Sequence, residues 1–211
     1  FSRHKLRLLM WLTIWSVVLF CAPMAISSPA YVVGQYHEWY SSLVAKNTEN
    51  IHSIAQNISL LGLVRRTTGC MNYSDLWLIL PGMALFAFPY LRFSQYKNLA
   101  FRETILASVL MFVILFSTGS ESSGYIIALT GACIWYTVVP WKRGKWAVAL
   151  MVFVFILSGM GNSDLIPKWI RQDYIQQYAL RALPISILWL WLCYELCTKD
   201  YTPIEKVDAH E

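Results

Sequence analysis

Eleven consecutive residues, Gln56-Asn57-Ile58-Ser59-Leu60-Leu61-Gly62-Leu63-Val64-Arg65-Arg66, form the richest run of chemistry in this chain. Polar amides and a hydroxyl precede an apolar turn that ends in two adjacent arginines. A guanidinium stays charged at any relevant pH and binds phosphate in bidentate fashion. At headgroup depth the pair suits a lipid phosphate or pyrophosphate; it equally suits snorkelling interface anchors or contacts to anionic lipid. The second constellation is Ser117-Thr118-Gly119-Ser120-Glu121-Ser122-Ser123-Gly124-Tyr125, between two strongly apolar runs. A turn needs Gly and Ser for its own geometry. Glu121, however, is the only acid between Glu103 and Asp164, and an acid at a membrane edge needs partners.

Other candidates are weaker. His37, Glu38 and His52 lack metal-ligand spacing such as HExxH, and Asp164 and Asp173 read as solvated loop acids. Asn57-Ile58-Ser59 and Asn72-Tyr73-Ser74 match the glycosylation sequon, a signal common by chance. No P-loop, GxSxG or dinucleotide fingerprint occurs. The cysteines, Cys21, Cys70, Cys133, Cys193 and Cys197, are odd in number and mostly lie in or beside apolar runs, so they read as packing residues and not as a disulfide framework.

The elements that position these residues follow from composition. Of 211 residues, 57% are hydrophobic and only 14% charged, against roughly 25% charged in an average soluble domain. Ten tryptophans and twelve tyrosines suit a protein with two membrane interfaces. The reading is all-α: a polytopic membrane helix bundle of about six spans. The apolar runs are Leu6–Ser27, Leu76–Leu91, Thr104–Thr118, Tyr125–Pro140, Trp146–Gly161 and Ala179–Cys197. The first, preceded by Arg3, Lys5 and Arg7, reads as a transmembrane helix in preference to a cleaved signal peptide.

Net charge is +5, but the basic residues cluster at the ends of apolar runs, and no stretch is expected to interleave aromatics with a basic run on an exposed face, which argues against nucleic acid. With the N-terminus inside, eleven Lys and Arg fall on inner segments and six on outer ones. The positive-inside rule then places both termini in the cytoplasm. Residues 28–75 form a long outer loop, and residues 198–211 a cytoplasmic tail. Within that loop Val32, Tyr36, Trp39, Tyr40 and Leu43, and then Ile51, Ile54, Ile58 and Leu61, recur at helical spacing. Two amphipathic helices in the outer interface are expected.

The Asn57-Ile58-Ser59 run with Arg65-Arg66, followed by Ser117 to Tyr125, resembles the bacterial glycosyltransferase family 87. These are multi-span GT-C membrane enzymes related to polyprenol-phosphate-mannose-dependent mannosyltransferases. The family shows Asn-Gln-Ser before an apolar turn and basic residues, then a Ser-Pro-x-Ser-Trp-type motif often followed by histidines. Ser120-Glu121-Ser122 matches a Ser-Glu-Ser variant of it. Two departures stand out: Ile58 replaces the usual Gln, and no histidine follows Ser120. The resemblance covers Ile51 to Tyr136 and implies a chain equivalent to the C-terminal half of a longer enzyme. The catalytic acid would then lie upstream, and the upstream half would be a partner of this one.

The resemblance implies a hexosyltransferase, specifically a mannosyltransferase, of the bacterial cytoplasmic membrane. It would move sugar from a polyprenyl-phosphate donor to a glycan or glycolipid acceptor at the outer face. Substrate binding would fall to Gln56, Asn57, Ser59, Arg65, Arg66, Ser120, Glu121, Ser122 and Tyr125. No cofactor or metal is implied, the lipid-linked sugar being a substrate. The competing reading is a transporter-like or lipid-binding membrane module. Ionisable groups concentrate at the outer edge and not mid-membrane, which favours an interfacial enzyme.

Overall fold

The computed structural model describes residues 5–202; the N-terminal Arg3 and the tail beyond Thr202 lie outside the described residues. Every regular element among these is helical. The chain divides into two units, up to Glu49 and from Asn50 onward.

The first unit holds α1 (Lys5–Cys21), continued by a short 3-10 turn at Ala22–Ala25, and most of α2 (Pro29–His52). Leu6–Ala25 is long and apolar enough to cross a membrane. Twenty residues at about 1.5 Å each match a hydrocarbon core of about 30 Å. Ser28 caps α2 by accepting from Tyr31 N at 3.2 Å, with Pro29 at the first helical position, where its missing N–H costs nothing.

The second unit is a helical bundle. It contains α3 (Leu60–Thr68), α4 (Leu76–Ala87), α5 (Leu99–Leu115), α6 (Tyr125–Val138), α7 (Lys145–Phe153), the single turn α8 (Lys168–Ile170) and α9 (Ala182–Thr198). All six predicted apolar runs are therefore helical. Four of them (Leu76–Leu91, Tyr125–Val138, Lys145–Gly159 and Ala182–Thr198) are apolar but shorter than a lone span requires. One sequence expectation fails. Ile51 to Leu61 is not one amphipathic helix: α2 ends at His52 and α3 begins only at Leu60. Asn57 adopts a left-handed φ of 54° and Ser59 caps α3, and such local side-chain bonds compete with helix continuation.

α5 is the spine. It packs on α6 so tightly that a Cβ at Gly131 would stand 2.8 Å from Ala107 O. Phe86, Phe112, Phe116 and Trp189 stack across α4, α5 and α9, with successive ring centroids 4.6, 4.5 and 5.4 Å apart. The Trp189 indole donates to Ser108 Oγ at 3.1 Å, a polar tie of the kind that joins helices in apolar surroundings.

The connections gather at two opposite ends of this bundle. At one end Arg92 donates to Leu196 O and Lys199 O, and Arg143 pairs with Glu195 at 2.6 Å. At the other lie α3, the Ser117–Gly124 turn and the segment between α7 and α9. Two π-helical stretches, Val154–Gly159 and Arg171–Gln176, fall at this second end. π-turns are rare and often mark functional sites.

Candidate functional site

The site begins with how the chain enters α3. Ser59 Oγ accepts from Gly62 N at 3.1 Å, satisfying a free donor of the first turn, and donates to Asn57 Oδ1 at 2.7 Å. Asn tolerates the left-handed backbone better than most residues. Gly62 is required here: a Cβ would lie 1.9 Å from Asn57 O. Asn57 and Ser59 are both fully buried. They shape the loop and leave its outer wall to neighbours.

Three hydrogen bonds then join this loop to the turn more than sixty residues away. Ile58 N donates to Ser120 O at 2.9 Å, Tyr125 Oη donates to Ile58 O at 2.8 Å, and Gln56 Nε2 donates to Glu121 Oε1 at 3.0 Å. The turn is built from its own hydroxyls. Buried Ser120 donates to Ile114 O near the end of α5, and Gly119 N bonds Ser117 Oγ. Ser122 Oγ accepts from Asn162 Nδ2. Glu121 is exposed and takes part in no ion pair among the described residues. It overlooks an open depression of about 190 Å³ that Ser117, Ser120, Ser123 and Gly124 also line.

The two arginines part company. Successive helical residues point about 100° apart, so an adjacent pair cannot grip one ligand from the same helix face. Arg65 is buried (1% exposed). It pairs with Asp75 at 2.7 Å, donates to Met71 O at 3.0 Å and lies over the Tyr73 ring at 4.6 Å. Its charge is paired within the protein, unlike that of Arg66. Arg66 is half-buried. It donates to Ser53 O at 2.6 Å, Gln56 O at 2.8 Å and Gln176 O at 2.9 Å. No carboxylate pairs with it among the described residues. Desolvation, then the Arg65 charge, lowers its pKa below the usual guanidinium value. Carbonyls stabilise its position without neutralising it, so its field reaches the site.

A third arginine escaped sequence reasoning because it borders an apolar run. Buried Arg181 donates twice to Ser158 O, at 3.0 and 2.8 Å, and sits 4.4 Å over the Tyr125 ring. Asn162 and Gln176 are also new members of the cluster; nothing in their local sequence distinguishes them. Asp164 is held by Arg171 at 2.6 Å. Among the described residues the assembled wall therefore has two cations without acidic partners, half-buried Arg66 and buried Arg181, and one exposed carboxylate braced by an amide. Such a surface can hold an anion at one side and accept hydroxyl hydrogen bonds at the other. Among the described residues no group of three or more His, Cys, Asp or Glu could hold a metal ion.

Comparison with known proteins bears on what this wall does. Neither the curated proteins nor the solved structures yield a match. The sequence model of glycosyltransferase family 87 matches residues 1–118, more than half of the chain. That stretch includes the Asn57 loop, Arg65 and Arg66, and stops just before Ser120. The family is membrane-associated, in keeping with the apolar Leu6–Ala25 helix. On this match the chain belongs to glycosyltransferase family 87.

Proposed function

We propose that this chain binds the donor of a membrane hexosyl transfer, a mannosyl transfer by resemblance, taking sugar from a polyprenyl-phosphate carrier to a glycan or glycolipid acceptor. The reading places the helices as about six spans in the bacterial cytoplasmic membrane, with the Asn57–Glu121 end facing outward. In its favour, the bundle displays Trp77, Leu80, Leu106, Val113, Ile126, Val152, Phe155 and Leu190 to its surroundings, far more apolar surface than a soluble monomer shows. The inner-segment basic residues Arg92, Lys142, Arg143 and Lys199 gather at the opposite end.

One observation carries the functional reading: the Gln56–Glu121, Ile58–Ser120 and Tyr125–Ile58 bonds bring the two sequence constellations into one wall. Arg66, backed by Arg181, stabilises the charge that develops on the departing lipid phosphate. Glu121 and Gln56 accept and donate to sugar hydroxyls. Ser120, Ser122, Asn57 and Ser59 hold the backbone in place, and Tyr125 locks the turn to the loop. The scheme uses the lipid-linked sugar as a substrate and draws on side-chain cations without a cofactor. The base that activates the acceptor belongs, by resemblance, to the family's upstream half.

Glu121→Gln tests this. The amide keeps the shape and can still accept from Gln56, so only the charge is lost. Transfer of labelled hexose from the polyprenyl-phosphate donor should fall at least tenfold, with membrane levels of the protein unchanged. Full activity would remove Glu121 from the site.

A further inference from the structure

We propose that the end of the bundle opposite the candidate site holds an anionic glycerophospholipid between α7 and α9. The inference rests on the membrane reading above but not on the transferase chemistry. An open groove of about 420 Å³ runs between the two helices, lined only by apolar side chains, among them Ala149, Leu150, Phe153, Ile187 and Trp191. Trp191 is shared with a second depression of about 280 Å³, whose rim carries Lys142, Arg143, Tyr194 and Lys199. An apolar slot and a basic basin thus adjoin at Trp191.

The charges in that basin are unevenly spent. Glu195 is buried and satisfied twice over, by Arg143 at 2.6 Å and by the Trp135 indole at 2.7 Å. Arg143 lies on the Trp135 ring at 3.8 Å, so this trio forms the floor. Asp200 accepts from Gln95 and Thr202. Lys142 and Lys199 are exposed and have no acidic partner among the described residues. Two free ammonium groups over a neutralised floor suit one phosphate diester. Trp146 and Tyr194, 72% and 62% exposed, supply the aromatic belt expected at headgroup depth.

Length agrees as well. From Tyr194 back to Ile187, and from Gly144 to Phe153, slot and basin together run about 10 to 13 Å at 1.5 Å per residue. That is most of one leaflet of a core about 30 Å thick. The occupant is accordingly a two-chain lipid with a net negative headgroup, one acyl chain in the slot and its phosphate at Lys142 and Lys199.

Native mass spectrometry of the detergent-solubilised full chain, titrated with dioleoylphosphatidylglycerol or dioleoylphosphatidylcholine, tests this. The wild type should retain the anionic lipid about thirtyfold more strongly, as two juxtamembrane lysines imply. Lys142→Ala/Lys199→Ala should bring it to the phosphatidylcholine level, and Ala149→Trp, which fills the slot, should weaken both lipids. Lys168→Ala should change nothing. Equal binding of the two lipids, or an unchanged preference in the double variant, overturns the proposal. So does inorganic phosphate displacing the lipid as effectively as phosphatidylglycerol, or unaltered binding in Ala149→Trp. Recovery of the chain in the soluble fraction on cell breakage would instead refute the membrane reading itself.

Discussion

Arg65 and Arg66 are neighbours with opposite assignments, and substituting each separates structure from function. Arg65 and Asp75 have side chains only 2% and 17% exposed, 2.7 Å apart. Removing one member of such a buried pair strands the other's charge, at a cost of about 3–5 kcal/mol. Against a total stability of about 5–15 kcal/mol, Arg65→Ala should lower the melting temperature sharply and reduce protein yield. Asp75→Ala should act similarly, and the double variant should lose less than the sum of the two, since neither charge is then orphaned. Arg66→Lys keeps the charge but not the fork. One ammonium cannot reach Ser53 O, Gln56 O and Gln176 O in the same geometry, and a charge-assisted bond is worth about 1.5–3 kcal/mol. Its melting temperature should fall modestly while transfer drops about tenfold or more. The assay is thermal unfolding in detergent alongside kcat/KM for the lipid-linked donor, normalised to folded protein. A stable Arg65→Ala, or an Arg66→Lys protein with unaltered kcat/KM, would refute the division of labour.

Other outcomes follow from the same geometry. Gly62→Ala puts a methyl into Asn57 O, so it should destabilise by about 1–3 kcal/mol or more and lower transfer with it, read by unfolding and activity together. Tyr125→Phe leaves Ile58 O without its 2.8 Å donor; a loss of about 1–3 kcal/mol is expected by unfolding, with the loop opening to faster hydrogen exchange at residues 53–59. Tyr73 has its pKa raised above 10.0, chiefly by burial. Its folded state therefore prefers the neutral phenol, and the associated stability is intact below pH 10 and lost as pH rises above it. Tyr73→Phe should flatten that alkaline decline in a pH series of melting temperatures.

Much of the helical layout is legible in the sequence because apolar runs are local signals. The ends of α4, α6 and α9 fall within a few residues of the expected runs, and Ser59 at the head of an apolar turn is a recognisable cap. The Ile51–Leu61 spacing does not become one helix because the apolar pattern runs across a left-handed asparagine, and spacing alone does not report backbone sign. The two constellations were legible separately, but not the bonds between them, which form only when α5 brings the turn beside the loop. Arg65 and Arg66 look alike in sequence; their helical angle and the position of Asp75 separate them. Gln176 closes a π-helical stretch, whose extra residue shifts its side chain out of the register a 3.6-residue period would assign, while Asn162 and Arg181 meet the cluster only through long-range contacts with Ser122 and Tyr125.

The proposed function puts the lipid-linked sugar at the Asn57–Glu121 end of the bundle. Photocrosslinking with a polyprenyl-phosphate hexose bearing a diazirine on the sugar, followed by peptide mapping, tests it most directly. Label should concentrate in residues 53–66 and 117–125 and fall with Glu121→Gln. Label concentrated instead around Trp141–Lys145 and Lys199 at the opposite end, and indifferent to Glu121, would contradict it.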